Sequence, residues 1–267
     1  MQRQPAVAGQ FYPGSENKLR AALSQLIPEY TSPQTVKGVI SPHAGYIYSG
    51  AITGCLFARL AIPATVLIIG PNHHGTGAAA ALYPEGEWLT PLGATSINSR
   101  LNSLLLRHAP YLQSDRVAHQ LEHSLEVQLP FLQYLRPDVT IAALCLGHSD
   151  YPPLRDIGIG IAAAIREYGE EVLIVASSDM THYESADLAR QKDQLALERV
   201  LALDGKGLLE VCQRRGITMC GVVPATVMLE AALKQGAQQA EVVAYGTSGD
   251  VTGDSEQVVG YAAVTVH

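Results

Sequence analysis

Three apolar runs constrain the fold most: Val36–Ile40, Thr65–Ile69 and Glu171–Ala176 each have the length of a buried strand, and each runs into a turn that carries histidine. The turns read Ser41-Pro42-His43, Pro71-Asn72-His73-His74 and Ser177-Ser178-Asp179-Met180-Thr181-His182. Parallel strands of an open α/β sheet end along one edge, and ligands bind outside that edge. Histidines delivered there from three strands are placed to converge. Imidazole is the commonest protein metal ligand and the natural acid or base near neutral pH, so the pattern predicts a reactive centre.

The remaining periodicity fits the same architecture. Helices are expected from Ser15 to about Gln25, near Ala51–Leu60, and over Ile97–His108, Leu154–Tyr168, Leu188–Leu203 and Ala225–Lys234. Strands are expected within Ala78–Leu92 and over Thr140–Leu146, with Glu241–Tyr245 and Val258–Val266 flanking a turn-rich loop at Gly246–Asp250. The chain of 267 residues is 47% hydrophobic, enough for a full core. With no internal repeat or linker, the expectation is one α/β domain over residues 1–267, its central sheet mixed, largely parallel and flanked by helices.

Composition narrows the function classes. A formal net charge of -7 without a Lys/Arg run argues against nucleic acid as a partner. No apolar stretch approaches the roughly 20 residues that span a bilayer, and residues 1–5 carry no apolar signal core, so the expected location is cytoplasmic. The four cysteines, Cys55, Cys145, Cys212 and Cys220, have no CxxC spacing and are expected to be reduced.

Residue by residue, each signal has a plain structural alternative. His43 can pair with a neighbouring loop as readily as with a ligand. His73 and His74 are adjacent, so in an extended loop they face opposite sides and one at most faces a given metal. Asp179 and His182 lie three apart, a spacing for a base and its orienting carboxylate or for a helix cap. Cys220 in Thr218-Met219-Cys220-Gly221 reads locally as a small buried hydrophobe. Tyr46 and Tyr48 beside His43 suit either a wall that stacks on an aromatic ligand or half-buried packing. His119-Gln120-Leu121-Glu122-His123 fits the H-x-x-E-H pattern of inverted zinc peptidases, which requires one continuous helix presenting His119 and His123 on one face. Pro130 follows too soon for that helix, and the alternative is a polar helix N-terminus with Glu122, Ser124 and Glu126 at its positive end.

Taken together, Arg3–Pro13, Pro42-His43-Ala44-Gly45-Tyr46, Gly70–His74, Glu122-His123-Ser124-Leu125-Glu126, Ser177-Ser178-Asp179 with His182, Cys220-Gly221 and Tyr261–His267 resemble the Memo family, also labelled component B of the AmmeMemoRadiSam system. The resemblance implies a fold similar to the class III extradiol dioxygenases, non-haem iron enzymes that use two histidines and a glutamate. In Memo-like proteins cysteine takes the glutamate position. By motif, His43, His74 and Cys220 are then the expected metal ligands, with His182, Asp179 and His123 as expected catalytic groups and Glu122 nearby.

The resemblance implies iron or copper as the expected metal with zinc as an alternative, while a thiolate in place of a carboxylate is softer and oxidisable and favours copper(I) or zinc more than a carboxylate would. The resemblance implies a metal-dependent, oxygenase-like redox activity on an unidentified small molecule. Its alternatives are a non-catalytic peptide- or protein-binding module, as in animal Memo-like proteins, and an accessory of a radical-SAM partner.

Overall fold

The computed structural model describes residues 1–147 and 149–267. Four parallel strands form the centre of the main sheet, in the order Gly38–Ser41, Val172–Ser177, Thr65–Pro71, Thr140–Leu146. The three histidine-bearing strand ends expected from the sequence are therefore direct neighbours. Outside this centre the pairings are mostly antiparallel. Val258–Val266 joins Gly38–Ser41 on one flank, and Ala80–Leu82 joins Thr140–Leu146 on the other. Ala240–Thr247 and the short strand His182–Glu184 both pair with Val258–Val266. The sheet is thus mixed, with parallel pairing concentrated where the site lies.

Alternation explains why the central strands read as unbroken apolar runs. Ile40, Leu67, Ile69, Leu144 and Ile174 face one core, while Val39, Val66, Ile68, Ile141 and Val175 face the other. Helices cover both faces, as parallel strands require. The first core takes in Leu101, Leu105, Ile161, Leu208 and Met228; the second takes in Leu19, Leu23, Phe57 and Phe131. Truncating a fully buried residue such as Ile68 to Ala is expected to cost about 2–5 kcal/mol.

Most expected elements are present with end shifts of a few residues. The helix expected from Ala51 starts at Tyr46, directly after the His43 turn. An additional helix, Gly205–Arg215, occupies a stretch with no assignment from the sequence, and the loop after Thr247 contains a short helix, Gly249–Thr252. Cys55, Cys145, Cys212 and Cys220 are all free thiols. Among the described residues, no helix is long and apolar enough to cross a membrane.

Candidate metal centre

The turn after Gly38–Ser41 buries His43, and hydrogen bonds fix its ring. Ser177 Oγ donates to the Ser124 carbonyl at 2.6 Å and accepts from Gln128 Nε2 at 2.8 Å. Its single proton is therefore used, and the 3.0 Å contact with His43 must be His43 Nδ1–H donating to Ser177. This leaves Nε2 of His43 with its lone pair, 3.2 Å from Cys220 Sγ. Gln128 also donates to the Pro42 carbonyl and accepts from Ser41, so one amide ties two strand ends together. Burial, followed by the nearby His123 and His73, keeps the His43 pKa well below its ordinary value and the ring neutral.

His73 is set by Glu122, which is fully buried. The carboxylate accepts the His73 backbone N–H at 2.7 Å, the ring Nδ1–H at 2.8 Å and the Ser124 N–H at 2.9 Å. Burial alone would raise the Glu122 pKa, but these bonds, led by that of the His73 ring, hold it well below the usual carboxylate range. Nε2 of His73 is thereby turned to the remaining histidines. His123 stacks on His73 with centroids 4.7 Å apart and an interplanar angle of 18°. Burial lowers the His123 pKa to about 4, so this ring too is neutral at pH 7.

One nitrogen from each of His43, His73 and His123 lies within 4.8 Å of the others, close enough for one ion to meet all three. Neutral imidazoles whose far nitrogens are held by a hydroxyl or a carboxylate are the usual dress of a metal-binding histidine. The donor set fits a metal on those grounds.

This geometry corrects the expectation for His74. Its Nε2–H donates to the Leu121 carbonyl at 3.1 Å on the exposed outer side of the loop, while the adjacent His73 points inward. His123, expected as a catalytic group beside the centre, belongs to the trio itself. Cys220, expected as the third ligand, lies against His43 at 3.2 Å but outside the trio whose ligand atoms come within 4.8 Å of one another. Gly221 makes that approach possible, because a Cβ there would collide with the Ser177 carbonyl and the Ser178 side chain. Burial, with Asp179 adding to it, pushes the Cys220 thiol pKa up, so without a cation it stays protonated.

The two other expected catalytic groups line the same cleft, which has a volume of about 560 Å³. Asp179 accepts the His43 N–H at 2.7 Å, and burial raises its pKa to about 7. His182 donates Nδ1–H to the Thr218 carbonyl at 3.1 Å, leaving Nε2 as a free base, and burial lowers its pKa. The peptidase reading fails on geometry. Residues 119–123 form no continuous helix, and His119 donates Nε2–H to the Ala81 carbonyl at 3.0 Å, boxed by Tyr83 and Trp88.

The sequence also left unread the role of Glu126. This fully buried carboxylate accepts from Arg3 at 2.6 Å, Ala6 N at 2.8 Å, Val7 N at 3.1 Å and Tyr12 at 2.7 Å. It straps the N-terminal segment across the site and brings Phe11 to 4.7 Å from the His123 ring, centroid to centroid. The signal was the acidic residue inside Glu122–Glu126, legible only once its long-range partners are known.

Comparison with known proteins identifies the family of the chain. The family model Memo, described as Memo-like protein, matches residues 3–265. A MEMO1 family protein of Methanopyrus kandleri is 41% identical, over 99% of this chain and 98% of its own. A MEMO1 family protein of Pyrobaculum arsenaticum is 38% identical, over 99% of each chain, and one of Methanosarcina barkeri is 41% identical, also over 99% of each. Since the match takes in the N-terminal strap and each loop that delivers His43, His73, His123, His182 and Cys220 to the cleft, the chain belongs to the Memo family.

Proposed function

We propose that the cleft is a metal centre serving a redox or oxygenase-type reaction on a small molecule. The observation that carries the reading is the trio His43, His73 and His123, with ligand atoms within 4.8 Å of one another and Cys220 Sγ 3.2 Å from His43. Imidazoles with a thiol at hand suit copper, zinc or iron, and of these copper and iron are the ones a redox reaction requires. When bound, such an ion supplies a Lewis acid and an electron-transfer site.

The protein's own groups do the rest. Ser177 and Glu122 hold the His43 and His73 rings with Nε2 forward. Cys220 would pass its proton to solvent on joining a bound cation, whose charge lowers the thiol pKa. His182, whose Nδ1–H is committed to Thr218, takes a proton at Nε2 from a bound substrate. Asp179, with a pKa of about 7, exchanges a proton from the floor of the cleft.

The test is anaerobic metal analysis by mass spectrometry on the untagged protein beside His43→Ala and Cys220→Ala. Near-stoichiometric iron or copper lost from both variants supports the reading and leads to oxygen-consumption screens with catechols and related diols. A wild type that holds no metal even after reconstitution sinks it in favour of a peptide- or partner-binding module, with a radical-SAM protein among the candidates for capture.

A further inference from the structure

Among the described residues, two that are not glycine hold a positive φ: Leu203 at 54° and Tyr183 at 60°. L side chains pay for that conformation, so it persists only where the surroundings over-determine it. At Leu203 the compensation is visible. The residue follows the helix Ala186–Leu201, and its side chain is only 9% exposed within the apolar core. Tyr183 gains nothing comparable, being 75% exposed, with its ring 5.8 Å from that of His182. It stands where the pairing of His182–Glu184 with Val258–Val266 slips register, an irregularity that re-aims a side chain. The result places Tyr183 on the wall of the histidine cleft.

Phe11, Tyr48 and Tyr261 line the same cleft. Among the described residues that line it there is no Lys or Arg, so no side-chain cation of the wall pairs with an anionic ligand. What the walls offer a ligand is ring faces. We propose that Tyr183 is a specificity-determining residue, held in a strained backbone so that its ring stacks on a ligand carrying a flat aromatic ring. The inference rests on the cleft being the ligand site, and not on which metal the centre holds.

The probe is 2-naphthol, a flat ring that cannot chelate, compared with saturated decahydro-2-naphthol by titration calorimetry. The proteins are wild type, Tyr183→Phe, Tyr183→Ala and Tyr183→Gly, with metal content measured on the same samples. The wild type and Tyr183→Phe are expected to bind 2-naphthol and to prefer it over the saturated analogue. Tyr183→Ala and Tyr183→Gly are expected to bind it about two- to tenfold more weakly, with metal content unchanged. Tyr183→Gly is expected to melt above Tyr183→Ala, the reverse of the ordinary order, because only glycine relieves the positive φ. Absence of 2-naphthol binding to the wild type, equal affinity for the saturated analogue, undiminished binding by the Ala and Gly variants, or an Ala variant that melts above Gly would each overturn the proposal. A wild type without metal that still prefers the flat ring refutes the metal centre and leaves this inference standing.

Discussion

Glu122 and Asp179 are both buried carboxyl groups within one bond of a cluster histidine, yet their environments drive them in opposite directions. Burial raises both. At Glu122 the His73 ring and two backbone N–H groups reverse it and keep the group ionised. At Asp179 the backbone donors of His43 and Ala44 do not, and the pKa rises to about 7. One acid is therefore a fixed anion that orients a ring, and the other is a group whose proton is loosely held. Two carboxyl groups in one site with their pKa values pushed apart suit different tasks, and under the proposed function Glu122 positions a ring while Asp179 exchanges a proton.

The strongest test of the positioning half is the adjacent histidine pair. His73→Ala is expected to reduce metal content to background, whereas His74→Ala retains it, as read by mass spectrometry. The reverse pattern would break the assignment of Glu122 as the ring's anchor. Glu122→Gln, which keeps the size and loses the charge, is expected to weaken metal binding about 10- to 100-fold in competition with a chelator.

Stability against pH separates the two acids by sign. The folded pKa of Asp179 lies above its unfolded value, so this group favours folding when protonated and costs stability as pH rises from about 4 to 7. Metal-free Asp179→Asn is expected to exceed the wild type by about 2–4 kcal/mol at pH 8 and to match it near pH 4 in urea unfolding. Glu122 runs the other way. Its folded pKa is depressed, so its contribution is present at neutral pH and fades as pH falls below the ordinary carboxylate range.

A smaller effect comes from His119, on the far side of the same loop, where burial lowers the pKa to about 4. The unfolded chain takes up that proton first, so stability is expected to drop by about 2 kcal/mol between pH 8 and pH 5. His119→Gln should flatten that part of the curve whatever it does to absolute stability. An unchanged slope would mean that His119 is not kept neutral by burial.

Much of the scaffold was legible because its signals are local. Runs such as residues 66–69 and 141–146 are apolar at every position, since both faces of those strands are covered, and the histidines follow the strand ends by sequence alone. Adjacency told that at most one of His73 and His74 faces a given metal. It did not tell which, because the choice belongs to Glu122, distant in sequence. Cys220 gave no local sign of reactivity either. Its place depends on Gly221 letting the backbone approach Ser177, and only the family resemblance pointed to it. The motif from His119 to His123 misled for a related reason, since its two histidines serve different neighbourhoods.

The antiparallel strand Val258–Val266 lies between Gly38–Ser41 and Ala240–Thr247, and residues 3–12 fasten onto Glu126. Assembly order follows from that interleaving. A nascent chain that has emitted His43, His73 and His123 holds all three imidazoles of the trio but not the frame that orients them, because the strand that flanks His43 and carries Tyr261 into the cleft is made far later. Contacts of such long separation form slowly and together. A partly synthesised or clipped chain is thus expected to take up metal poorly, because the walls of its site have yet to close.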